Sequence, residues 1–81
     1  MTVQVLLFGP VAEAYQTSCI ELEAAGATQL GDLQEALRLL RPDLEPLLRS
    51  CRWAQNQRFV SLDAAFNATD ELALIPPVAG G

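Results

Sequence analysis

Glu71-Leu72-Ala73-Leu74-Ile75-Pro76-Pro77-Val78-Ala79-Gly80-Gly81 closes the chain. Its first five residues read as a strand, and the two prolines stop it. Proline has no amide proton for a sheet ladder and favours an extended path. Gly80 and Gly81 carry no Cβ, so they pass through a channel too narrow for any other residue. Five extended residues from Pro77 to Gly81 reach about 16 Å. A glycine-rich end can simply fray, and chance alone gives a Gly-Gly terminus in about 0.5% of chains. A strand followed at once by a double proline favours a different use. Residues 1–75 are read as the folded domain and 76–81 as a flexible extended tail, which carries its terminal carboxylate into another protein's active site.

The rest of the chain is short for such a task. Eighty-one residues make one domain near the lower limit for a self-sufficient core. Hydrophobic residues make up 51% and aromatics only 6%, so Leu, Val, Ala and Ile must build that core. Part of the apolar surplus is expected on a surface meant for a partner.

The net charge of −5 is unevenly spread. Residues 1–37 hold Glu13, Glu21, Glu23, Asp32 and Glu35 with no base, whereas all five Arg fall between 38 and 62. Such a balance excludes nucleic acid as the expected partner, because phosphate binding demands concentrated positive charge. It fits a partner with a basic face, although acidic surfaces also serve simple solvation. The chain has no Lys, so only its N-terminal amine is available for conjugation. There is no His, and Cys19 and Cys51 lie too far apart in sequence to form a metal-ligand motif. Neither thiol has an imidazole to activate it. Met1-Thr2-Val3-Gln4 opens directly into a strand pattern without a basic leader, and no run approaches the roughly 20 apolar residues of a membrane span. The expectation is a cytoplasmic protein with two reduced thiols, a single 19–51 bridge being the alternative.

Val3 to Phe8 alternates and then turns apolar, as an interior strand buried on both faces at its end. Gly9-Pro10 breaks it, and 11–15 can form a turn or two of helix with Pro10 at the first helical position. Thr17 to Glu23 alternates again, with Ile20 and Leu22 inward, as an edge strand. Thr28 is the expected N-cap of a helix whose Leu30, Leu33, Leu37 and Leu40 form one apolar stripe. Pro42 ends that helix, and 42–49 reads as a second short helix or a wrapped loop. Arg52–Gln55 and Arg58–Val60 flank Asn56-Gln57, a turn. Asn67 to Asp70 turns the chain into the last strand. The sum is an α+β domain: a mixed sheet with one main helix packed on one face.

A sheet covered on one face leaves its other face open. With Leu72 and Leu74 directed at the helix, Ala73 and Ile75 point away, and Phe59 does so if Val60 is inward. Periodicity leaves two placements open: Phe59, Ile75 and Phe8 as an exposed apolar patch near the tail, or Phe59 and Ile75 tucked under residues 42–50 as core.

This strand–strand–helix–strand order, ending in Ile75-Pro76-Pro77-Val78-Ala79-Gly80-Gly81 after Asp70-Glu71, resembles the ubiquitin-like sulfur carriers. Among them it looks most like the small subunits of molybdopterin synthase. Weaker matches are the first strand, the Leu30-Leu33-Leu37 helix, Asn56, and Val60 with Asp63. The resemblance implies a ubiquitin-like β-grasp and a cycle of sulfur transfer. An adenylyltransferase resembling ubiquitin-activating enzymes would use ATP to convert the Gly81 carboxylate to an acyl-adenylate. A sulfur donor protein would turn that into a thiocarboxylate. The large synthase subunit, in a heterotetramer, would then receive the tail and pass the sulfur to cyclic pyranopterin monophosphate for molybdenum cofactor synthesis.

On this reading Gly81 carries the reacting group and Gly80 gives it steric access. Phe8, Phe59, Ile75, Pro76, Pro77, Val78 and Ala79 meet the partner. The chain binds no cofactor or metal itself, and catalysis belongs to the complex. Two positions depart from the family pattern. Ala68-Thr69 stands where Asp-Gly is usual, which calls for another turn geometry, with Asn67 in the left-handed region as the expected solution. Ala12-Glu13 replaces an Arg-Glu pair. The competing readings are a carrier for thiazole synthesis in the thiamine pathway, a ubiquitin-like protein modifier, and a β-grasp binding module that carries nothing. Carriers of the thiamine pathway generally lack the double proline and the 42–50 segment.

Overall fold

The computed structural model describes residues 1–77; Val78, Ala79, Gly80 and Gly81 lie outside the described residues. In chain order the elements are β1 (Thr2–Leu7), α1 (Gly9–Tyr15), β2 (Cys19–Glu23), α2 (Leu30–Leu40), a 3-10 turn (Pro42–Leu44), α3 (Glu45–Ser50), β3 (Arg52–Gln55), β4 (Arg58–Val60) and β5 (Leu72–Ile75). They form one five-stranded sheet in the order β2-β1-β5-β3-β4. β1 pairs parallel with β5, and the other pairings are antiparallel, so the sheet is mixed. The architecture is the α+β mixed sheet that the residue pattern predicts, arranged as the β-grasp that the resemblance implies.

Period-two alternation decides which face each strand buries. Val3, Val5 and Leu7 of β1 are buried, as are Leu22 of β2, Trp53 of β3, and Leu72 and Leu74 of β5. Against this face lie Val11 of α1, Leu48 of α3, and Leu30, Leu33 and Leu37 of α2, all essentially without solvent contact. The Trp53 indole N–H is satisfied by Gln34 Oε1 of α2 at 2.9 Å, which lets a polar atom enter the core without cost. α1 is fastened to the end of α2 twice. Tyr15 donates its hydroxyl to Leu37 O at 2.8 Å, and Arg41 Nη1 donates to Ala14 O at 3.1 Å. Glu35 and Arg38, three residues apart on one face of α2, form an ion pair, and Arg38 also reaches Glu45 of α3. Both ion pairs are solvated and add little to stability.

Several details differ from expectation. The N-cap of α2 is Gln29, not Thr28, because Asp32 draws the backbone amides of both residues to its Oδ2 at 2.9 and 3.0 Å. Leu40 is 58% exposed beside Leu39, so the last turn of α2 runs past the layer it packs on, and the buried stripe ends at Leu37. β1 is not buried on both faces at its end: Phe8 is 45% exposed. Cys19 and Cys51 are both free: Cys19 opens the edge strand β2 and Cys51 lies just before β3, with β1 and β5 between those two strands.

The turn that replaces Asp-Gly does not use a left-handed Asn67. Apart from glycines, the left-handed residues among those described are Gln16, which ends α1, and Asn56 (φ 52°) with Gln57 (φ 69°), which make the two-residue hairpin of β3 and β4. Two consecutive left-handed residues match the twist of the flanking strands. Asp70 organises the other turn. Its carboxylate accepts from Asn67 N at 2.8 Å, Gln55 Nε2 at 2.8 Å and Asn56 Nδ2 at 3.2 Å. Asn56 in turn accepts from Glu71 N at 2.9 Å and donates its own backbone N–H to Glu71 O at 2.8 Å. Hairpin and loop are thereby locked together, and β5 is launched between β1 and β3.

These bonds, led by that from Asn67 N–H, hold the Asp70 carboxyl below its ordinary value of 3.8. A lowered folded-state pKa stabilises the fold above the ordinary value, and that contribution is lost as pH falls through the folded value. Asp70→Ala is expected to lower Tm by about 5 °C at pH 7. Thermal scans should show this difference shrinking below about pH 4. A pH-independent difference would mean that the lost side chain mattered for packing and not for its charge.

Candidate functional site

Among the described residues no element covers the face of the sheet opposite the helices, and register assigns its residues. Across all five strands Cys19 pairs with Leu6, Leu6 with Ala73, Ala73 with Ala54, and Ala54 with Phe59. Paired residues share a face, so these five form one continuous row. It is apolar apart from the thiol at its edge. Ala73 is 8% exposed, Leu6 and Ala54 are half-buried, and Phe59 at the far end is 54% exposed. The row nearest the end of β5 holds Ile75, paired with Arg52, and Phe8 lies just beyond the end of β1. The row on the opposite side holds Glu21 paired with Gln4, and Glu71 stands two residues before Ala73 on the same face.

The chain leaves this face between the end of β1 and the start of β3. Gly9 is required there twice over: its φ is +56°, and a Cβ on it would stand 3.2 Å from Pro76 Cγ. A side chain would be strained and would also push the proline aside. On the other flank Ser50, Arg52, Phe59, Ile75, Pro76 and Pro77 line an open groove of about 300 Å³. The Arg52 guanidinium lies over the Phe59 ring, 4.0 Å from its centroid, and holds the ring against the groove.

Of the residues singled out from sequence, Phe59, Ile75, Pro76 and Pro77 come together in that groove, and Phe8 stands across the tail root from it. Phe59 belongs to the outer face and not to the core under residues 42–50, and Ile75 is half-buried beside it. Val78, Ala79, Gly80 and Gly81 lie outside the described residues. Sequence reasoning passed over Arg52 and Gly9. Alternation with the buried Trp53 would have placed Arg52 outward, but its stacking on Phe59 depends on the β3–β4 pairing, which short strands signal weakly.

Chemistry on this face is sparse. Cys51 lies on the core side instead, where burial pushes its thiol up from its ordinary value and its S–H donates to Leu47 O at 3.2 Å, so it is a poor nucleophile. No group of His, Cys, Asp and Glu among the described residues is placed to hold a metal ion. None of the described helices is long and apolar enough to cross a membrane. What the geometry offers is a rigid apolar platform whose last strand points two prolines away from the domain.

Comparison with known proteins bears on the same platform. The molybdopterin synthase sulfur carrier subunit of Mycobacterium tuberculosis is 38% identical over 80 residues, which is 98% of this chain and 96% of that protein. Among solved structures, SAMP1 of Haloferax volcanii superposes over the whole of both chains with a TM-score of 0.83 at 29% identity. Subunit 1 and 2 of the molybdopterin-converting factor from Helicobacter pylori have been seen as a protein–protein complex. One chain of it covers the whole of this one and is itself fully covered, with a TM-score of 0.62 and 27% identity. The model of the ThiS family matches residues 5–81, from the first strand through Gly81. The chain belongs to the ThiS family.

Proposed function

We propose that the chain is the sulfur-carrying subunit of a molybdopterin synthase, with Gly81 bearing the transferred sulfur. The observation that carries this reading is the end-to-end match to the mycobacterial sulfur carrier subunit. It is joined to a fold whose last strand and double proline lead out of an uncovered apolar face.

A carboxylate is a poor electrophile. Attack of the Gly81 carboxylate on the α-phosphorus of ATP, within an activating partner, forms an acyl-adenylate and releases pyrophosphate. A sulfur donor at the oxidation level of sulfide then displaces AMP and leaves a thiocarboxylate. In the large subunit that terminal sulfur attacks cyclic pyranopterin monophosphate, and hydrolysis returns Gly81 as a carboxylate. Proximity supplies much of the rate: a tail held in a channel turns a bimolecular encounter into a unimolecular one. This chain contributes the reacting atom, the slim Gly80 that lets it pass, and the Gly9–Pro76 contact that fixes where the tail begins. General base, nucleotide site and oxyanion donors belong to the partners. A cytoplasmic setting and a heterotetrameric synthase accompany this reading.

The likeness to SAMP1, of a kind described as a small archaeal modifier protein, supports a second reading. There Gly81 would be joined to amines of other proteins after the same adenylation. Having no Lys of its own, the chain would not be extended on its side chains.

Incubation with ATP, the activating enzyme and a sulfide source should change the intact mass by one exchange of oxygen for sulfur, confined to the C-terminal peptide. Deletion of Gly81 should abolish that change and leave Tm untouched. An unchanged mass beside an activating enzyme proven on another carrier would overturn the sulfur-carrier reading. Isopeptide products in its place would support the modifier. Phe59→Asp is expected to weaken binding to the large subunit at least tenfold, about 1.4 kcal/mol or more, as loss of an aromatic anchor does. Its Tm should stay within a few degrees of wild type, because the ring is half in solvent. Unfolding with unaltered affinity would instead make Phe59 a structural residue.

A further inference from the structure

The uncovered face is polar at both ends, and the two ends differ in sign. Beside the tail root, the Arg52 guanidinium lies over the Phe59 ring, and among the described residues it makes no ion pair and no hydrogen bond to a carbonyl or carboxylate. Its edge therefore still presents its N–H donors outward. Beyond the apolar row, at the other end of the strands, Glu21 and Glu71 are exposed and make no ion pair among the described residues. Glu23, further along β2, is already held by the N-terminal amine at 3.2 Å. Arg38, Arg41 and Arg49 have carboxylate partners on the helix side, and Arg58 pairs with Gln55, whose neighbour Trp53 by alternation faces the core. Arg52 is thus the one cation assigned to this face by register among the described residues.

We infer that this arrangement is an electrostatic address for the protein that receives the tail. The partner surface would carry a carboxylate on the rim of its tail channel, opposite Arg52, and basic side chains opposite Glu21 and Glu71. This deepens the reading above and rests on it. The row from Cys19 to Phe59 carries no charged side chain, so apolar contact along it sets the orientation of the face only weakly. Charges of opposite sign at its two ends do distinguish them. They act at a distance of a Debye length, about 8 Å at physiological salt, before the tail has entered anything. Stacking on Phe59 holds the guanidinium plane in place, so little side-chain freedom is lost when a carboxylate meets its edge. The effect belongs mainly to the association rate, as it does for charges at the rim of an interface.

Stopped-flow association with the cognate large subunit, in 20–500 mM salt, tests the inference. Arg52→Glu should slow association about tenfold at the lowest salt, with the gap closing as salt rises. Arg52→Gln should fall between. The double variant Glu21→Lys, Glu71→Lys should also slow association at low salt, and adding it to Arg52→Glu should not restore the rate. Wild-type rates for Arg52→Glu and for the double variant at every salt concentration would overturn the address. So would faster association in either, because it would put the opposite charges on the partner. Failure of the wild-type chain itself to bind would count against the proposed function, a distinct result. Circular dichroism of each variant guards the comparison, and all the substituted groups are exposed.

Discussion

Everything distinctive about this domain follows from covering a five-stranded sheet on one side only. Parallel pairing of β1 with β5 requires the intervening chain to bring β5 back in the same direction as β1, and α1, α2 and α3 lie together on the face where Leu7, Trp53 and Leu74 point. With the core on that side, alternation places Leu6, Ala54, Phe59 and Ala73 on the other, where none of the described elements covers them. The same pairing sets the end of β5 beside the end of β1, so the double proline leaves from the rim of the uncovered face. Core, open face and exit of the tail are three consequences of one topology.

Much of this was legible in the sequence, for identifiable reasons. Long periodic segments announce themselves, and the alternation of β1 and β2 and the Leu30–Leu33–Leu37 stripe fall where spacing puts them. The Asn56-Gln57 hairpin was readable because few residue pairs turn tightly enough. What escaped depends on contacts between distant residues. The N-cap moved to Gln29 because Asp32 reaches back to two amides. The loop before β5 is held by Asp70 bonding to Gln55 and Asn56, fifteen and fourteen positions away, and not by a local backbone twist at Asn67. Leu40 fits the stripe by angle, yet its turn has nothing beneath it.

The candidate site divides in the same way. The patch residues Phe8, Phe59 and Ile75 follow from period two once the helix side is known, but periodicity alone could not choose between core and surface for Phe59. Arg52 was invisible for a further reason: its importance lies in a stacking contact with a residue on another strand and in the sign of its charge relative to Glu21 and Glu71. A domain this small has little core to spare, and leaving one sheet face apolar and exposed has a stability cost that a binding function explains. The division of labour in the proposed function matches this: the fold supplies a platform and a starting point for the tail, and the proposal leaves the reactive groups to proteins that dock on it.

That central claim is tested most directly by mapping backbone amide chemical shifts of the chain on titration with the large subunit. The account predicts perturbations at Leu6, Phe8, Arg52, Ala54, Phe59, Ala73 and Ile75, with α2 and α3 unmoved. Perturbations concentrated instead along the groove between those helices, at Gly31, Gln34, Arg38 and Glu45, with the open face silent, would contradict it.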